Sequence, residues 1–190
     1  MNDNKKPKII ALTGARKSGK TTVSQRWVEM FNIPVFDADI AFKFVINFDE
    51  EIRDKIRSYF GEVSFVSHYL NSAFFDSDKK MKRLLEISEE RVFETFFKWR
   101  NKQNVEYVLF KCSVVHEFMN LSNFSSIVNV YAPKEVREER IHNMEEDIDL
   151  NGELSEIERS EKSNYVIHNY NNMKIHRQIN TIHKSILNNS

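Results

Sequence analysis

Residues 14–21 read Gly-Ala-Arg-Lys-Ser-Gly-Lys-Thr, two glycines five positions apart closing on a lysine and a hydroxyl. The spacing is G-x4-G-K-[ST], and each part has a chemical reason. A loop of this kind between a strand and a helix turns its backbone N–H groups inward, around the phosphates of a nucleotide. Gly19 allows tight turning and close backbone approach, which a Cβ would obstruct. Lys20 places an ammonium on the transferring phosphates, and the Thr21 hydroxyl is a magnesium ligand in such sites. The positive end of the following helix adds to the field. Gly14, Ala15, Arg16, Lys17, Ser18, Gly19, Lys20, Thr21 and Thr22 are therefore the candidate nucleotide-binding residues. Arg16 and Lys17 either extend positive charge over the phosphates or remain solvated loop side chains.

Two further groups could act with that loop. Asp37 and Asp39 close a short apolar run, at the edge of a sheet where ligands bind in open α/β folds. One of them could instead cap a helix starting at Ile40, for which aspartate is favoured. Arg140, on a charged helix after Pro133, could reach nucleotide phosphates or the base, while Arg137, Glu138 and Glu139 offer it ordinary salt-bridge surroundings. The histidines His168, His176 and His183 have no cysteine or carboxylate beside them and read as solvated side chains, not as metal ligands. Cys112, ending an apolar strand, reads as a small buried side chain.

The elements that would position these residues follow from periodicity. Lys8–Thr13 is a continuous apolar run, as expected of a strand covered on both faces. Thr21–Phe31 places Val23, Trp27, Val28 and Phe31 on one helical face. Ile33–Asp37 is a second strand, so that strand, loop, helix and strand occupy about 30 residues, the βαβ signature. From Ile40 to about Arg100 the pattern is mostly helical, with helices at 49–60, ended by Gly61, and at 78–100; the aromatic stretch 63–75 between them is ambiguous. Strands return at 106–110, 126–131 and 165–167, with helices at 134–144 and 173–187. The segment Glu145–Glu153 is polar and acidic and reads as a loop.

Composition bounds the rest. With 190 residues, 28 basic and 28 acidic side chains, 41% hydrophobic and 29% charged, the chain is a soluble globular protein able to bury a sizeable core. Zero formal charge argues against broad electrostatic binding to nucleic acid or membrane. One cysteine excludes an internal disulfide framework and fits a reducing, cytoplasmic compartment. No apolar run is long enough for a signal peptide or a membrane span. Oligomeric state is not encoded in any of these features.

A more specific resemblance then emerges. Ala11-Leu12-Thr13-Gly14, the phosphate loop, and Ile33-Pro34-Val35-Phe36-Asp37-Ala38-Asp39 resemble the dephospho-coenzyme A kinase family, which pairs an A/G-L-T-G loop with I-P-V-x-D-A-D at this separation. Further echoes are Phe75-Asp76-Ser77-Asp78 before Leu84-Leu85-Glu86-Ile87, Tyr107–Phe110 through Glu117, Val128–Pro133 with Arg140, and Tyr165-Val166-Ile167-His168-Asn169. Similarity thus runs in order from about 8 to 187, dense in the first quarter and thin afterwards. Ala15 and Lys17 stand where the family usually has glycines, Leu70-Asn71-Ser72 lacks its arginine, and Glu145-Glu146-Asp147 occupy its usually basic lid.

The resemblance implies an α/β fold of the P-loop NTPase kind: three α/β/α layers, a parallel sheet of about five strands, a helical acceptor-binding insertion at about 40–100 and a lid at about 145–155, all within one domain. It implies ATP and Mg2+ as cofactors, with Thr21 and Asp37 toward the metal. It also implies Asp39 as the base, with Lys20 and Arg140 acting on the phosphates. The acceptor would be a nucleotide-like small molecule, dephospho-coenzyme A first, with neither nucleic acid nor membrane as a partner. A nucleoside or deoxynucleoside monophosphate kinase on the same fold, or a nucleotide-binding descendant without turnover, are the other readings.

Overall fold

The computed structural model describes residues 6–61, 78–142, 155–171 and 173–188. The ambiguous stretch 63–75, the Leu70-Asn71-Ser72 and Phe75-Asp76-Ser77 segments and all of the expected lid except Ser155 lie outside them. The described chain runs β1 (Lys8–Thr13), α1 (Lys20–Phe31), β2 (Val35–Asp37), α2 (Ala38–Phe48), α3 (Glu50–Phe60), α4 (Asp78–Arg100), β3 (Tyr107–Lys111), α5 (Val115–Phe118), a 3-10 turn at Leu121–Asn123, β4 (Ser126–Tyr131), α6 (Lys134–His142), α7 (Glu156–Glu161), β5 (Tyr165–His168) and α8 (Ile175–Asn188). These form two compact units, residues 1–36 with 100–190, and residues 37–99.

The first unit is built on a five-stranded sheet ordered β2-β3-β1-β4-β5, in which β1 runs parallel to both β3 and β4, and β4 parallel to β5. Buried on both faces, β1 can be apolar throughout, and Ile10, Ala11 and Leu12 have no exposed surface. Because β1 lies between β3 and β4, connections leave its carboxyl end in opposite directions, which opens the crevice where such sheets hold ligands. One face is covered by α1 and α8, whose Val23, Trp27, Ile179 and Ile182 pack with Leu12, Leu109 and Val130.

That packing holds a polar thread. The Trp27 indole N–H donates to the Tyr107 hydroxyl at 2.7 Å, so Tyr107 is left to donate to His183 Nδ1 at 2.6 Å, and His183 stacks on Phe31 with ring centroids 3.8 Å apart. His183 is therefore not the solvated side chain the sequence suggests. Its imidazole joins α1, β3 and α8, and burial lowers its pKa. Cys112 is buried, as expected.

His116 is a second built-in histidine. Ser163 donates its hydroxyl proton to the Arg159 carbonyl (2.8 Å), so it accepts from His116 Nε2 (2.9 Å), while the buried Nδ1 has no hydrogen-bond partner among the described residues. Burial first, then the charges of Arg159 and Lys162, push the His116 pKa down to about 4. An unfolded histidine titrates near 6.5. Between those values the unfolded chain binds more protons, so this contribution to stability is full above pH 6.5 and is lost as pH falls toward 4. We expect the melting temperature to drop by about 3 °C more in the wild type than in His116→Gln between pH 7.5 and 5. Parallel pH curves for the two proteins would contradict this.

The second unit is helical. α2 is amphipathic, burying Phe42, Val45 and Ile46 and exposing Ile40, Phe44 and Phe48. Asp49 caps α3 by accepting from Ile52 N at 3.1 Å, and Arg91 of α4 reaches Asp49 (2.9 Å) and Glu51 (2.8 Å). Among the described residues no helix is long and apolar enough to cross a membrane.

Candidate nucleotide-binding site

The phosphate loop owes its shape to three residues with positive φ: Gly14 at 146°, Lys17 at 59° and Gly19 at 100°. At Gly19 an added Cβ would run into the Asn169 side chain, which is why the position is glycine. Lys17 adopts the left-handed conformation despite carrying a Cβ, at a cost of about 1 kcal/mol. Gly19 is the residue preceding α1, and no side chain caps that helix. A helix start with no side-chain cap among the described residues is a place where an anion can bind.

Lys20 is buried, and its ammonium donates to the carbonyls of Gly14 (2.7 Å) and Ala15 (3.0 Å) across the mouth of the loop. Thr21, the first exposed residue of α1, accepts from Lys111 Nζ at 3.4 Å. Lys111 ends β3 and is 8% exposed, and it is a cation that pattern reading missed. Its signal in the sequence is slight, a lysine closing the otherwise apolar run YVLFK.

Arg140 is brought to the loop as the spacing suggested, but to its carbonyl side. Its guanidinium donates to Lys17 O (2.8 Å), Ser18 O (3.1 Å) and Asn169 O (2.7 Å). Burial lowers the pKa of this guanidinium, and Glu139 offsets part of that. Asn169, just after β5, adds its side-chain amide to Ser18 O at 2.7 Å. Holding the carbonyls outward leaves the N–H groups inward, the orientation phosphate needs. Beside Thr22 and Arg26, an open cleft of about 540 Å³ is bounded by Met173, Lys174, His176 and Arg177.

Asp37 and Asp39 open the helical unit. The helix starts at Ala38, two residues before the expected Ile40, and its cap is Asp37, whose Oδ1 accepts from Ile40 N at 3.3 Å. Asp39 lies in the first turn, half-buried. Among the described residues no group of three or more His, Cys, Asp or Glu could hold a metal ion. A magnesium ion arriving with ATP takes most ligands from phosphate and water, so one hydroxyl such as Thr21 suffices. The residues fit a metal carried in by the nucleotide.

Residues 8–174 match the family model described as dephospho-CoA kinase. The dephospho-CoA kinase of Listeria monocytogenes serovar 1/2a is 30% identical over 92% of this chain and 94% of its own length. Among solved structures, a protein from Thermus thermophilus superposes with a TM-score of 0.76 at 19% identity, covering 97% of this chain and 98% of that one. The dephospho-CoA kinase of Campylobacter jejuni superposes with a TM-score of 0.53 at 14% identity, covering 95% and 97%. Both likenesses are of fold.

Proposed function

Because the chain belongs to the dephospho-CoA kinase family, we propose that it transfers the γ-phosphate of ATP, entering as MgATP, to the 3′-hydroxyl of dephospho-coenzyme A in the cytoplasm. The observation that carries this reading is the uncapped start of α1 behind a loop whose carbonyls are held outward by Arg140 and Asn169. The backbone N–H groups of 14–22 receive the phosphates. Lys20 exchanges the Gly14 and Ala15 carbonyls for the transferring phosphoryl group, whose spreading charge it neutralises. The Thr21 hydroxyl and Asp37 would hold the metal that accompanies the nucleotide, which would supply charge neutralisation at the phosphates. Arg140 positions the loop and adds its charge to the field. The nucleoside end extends into the cleft beside Thr22. The helical unit takes the acceptor, and Asp39 accepts the proton of its hydroxyl.

The test is turnover with ATP against a panel of dephospho-coenzyme A and nucleoside monophosphates. Phosphorylation of dephospho-coenzyme A alone is expected, and Asp39→Asn should lower it about a hundredfold while ATP affinity stays within about twofold. Turnover with a monophosphate in its place would move the chain to the monophosphate kinases. Nucleotide binding with no turnover of any acceptor would make it a binding protein, and unchanged turnover in Asp39→Asn would remove the base assignment.

A further inference from the structure

Arg140 is not the only arginine of α6 on the loop. One helical turn earlier, Arg137 is 5% exposed, and its guanidinium donates to Arg16 O at 3.3 Å. The two side chains together hold the carbonyls of Arg16, Lys17 and Ser18, three in succession, with the left-handed Lys17 in the middle. On its other side Arg137 faces Glu156, with Nε 3.8 Å from Oε1 and side-chain exposures of 7% and 12%. Glu156 opens α7, a helix fixed by a full capping box between Ser155 and Glu158. The carboxylate is thus placed beside the guanidinium as a half-sequestered countercharge, a charge contact rather than a hydrogen bond, while the hydrogen bond of Arg137 goes to the loop.

A buried guanidinium is stable only with its charge compensated, and its planar fork can serve an acid and a carbonyl at once. We propose that Arg137, oriented by Glu156, is a positioning residue that presets the phosphate loop for ATP by holding the carbonyl before Lys17. This rests on the reading of the loop as the ATP site. Preorganisation of this kind acts on nucleotide affinity, because without it the loop must be ordered when ATP binds. The consequence is a split between the two partners. Removing Glu156 leaves Arg137 buried with its charge less well compensated, which costs stability. Removing Arg137 releases the loop, which costs affinity.

The experiment is a double-mutant cycle of Arg137→Leu and Glu156→Leu, read by calorimetric titration with ADP–magnesium and a non-hydrolysable ATP analogue, and separately by thermal unfolding without nucleotide. Arg137→Leu should weaken nucleotide binding about tenfold, the loss of one charged hydrogen bond to the loop, with the rate at saturating ATP changed less than about threefold. Glu156→Leu should lower the melting temperature and weaken binding less. In the double variant the melting temperature should return toward that of the wild type, since no buried charge is left uncompensated, while affinity stays low. Recovery of affinity along with stability would make the pair merely structural and overturn the proposal. So would wild-type affinity in a folded Arg137→Leu. A wild type that does not bind the nucleotide would fail the ATP-site reading itself, and the role of Arg137 with it.

Discussion

Lys20→Met should lower phosphoryl transfer at saturating ATP by about a thousandfold. Lys20 supplies an ammonium within a buried loop, where a fixed charge acts on developing phosphate charge far more strongly than it would in water. Methionine keeps the length and the apolar stem, so packing around α1 changes little. What goes is the charge, together with the two hydrogen bonds to Gly14 and Ala15 that hold the ammonium in place before substrate arrives. Rapid-quench turnover measured beside nucleotide affinity separates the two losses: affinity should fall by about tenfold and the chemical step by much more. Lys20→Arg should not restore the rate, because a planar fork cannot replace a compact cation in so tight a turn. Turnover of Lys20→Met within tenfold of the wild type would exclude Lys20 from the chemistry.

Gly14→Ala is the largest expected loss of stability. Gly14 has φ of 146°, and a Cβ there would collide with the Val130 carbonyl and come within 2.8 Å of Ser18 Oγ. Val130 cannot yield cheaply, since its strand is paired with β1 on one side and β5 on the other. We expect a loss of about 3 kcal/mol, a drop in melting temperature of about 8 °C, and nucleotide binding impaired because β1 and the loop must shift. Gly61→Ala is the control. Gly61 has φ of 80° with ψ of −166°, an extended positive-φ conformation nearly confined to glycine. Among the described residues, however, an added Cβ meets nothing within 4 Å, so backbone strain of about 2 kcal/mol applies without a collision. Equal losses at the two sites would show that strain, not collision, governs Gly14.

The loop with its strand and helix was legible because everything that defines it lies within one short segment: a continuous apolar run, a fixed glycine spacing and a helical stripe. What braces the loop was not. Arg137, Arg140 and Asn169 reach it from more than 120 residues away in sequence. A charged helix such as KEVREERIH presents several arginines of equal appearance. Pattern reading singled out Arg140 through the family resemblance and set Arg137 among its salt-bridge neighbours; only packing shows both on the loop. Lys111 was overlooked for a similar reason, as one terminal residue in a strand judged by its apolar body. The reading of His183 erred the other way, while His176 is exposed as expected. Spacing along α8 says nothing of Tyr107 and Phe31, which turn His183 from a solvated side chain into a half-buried link between α1 and β3. The aspartate pair was found, but the cap was settled only by where the helix begins, at Ala38.

The Trp27–Tyr107 hydrogen bond has an optical consequence. The chain has two tryptophans, Trp27 buried on the helix that follows the phosphate loop and Trp99 half-buried at the end of the helical unit, so each unit carries one intrinsic fluorophore. Emission from Trp27 should be blue-shifted and shielded from acrylamide, whereas Trp99 should be quenched more readily. Following the two components during denaturation therefore reads each unit separately, with no label attached.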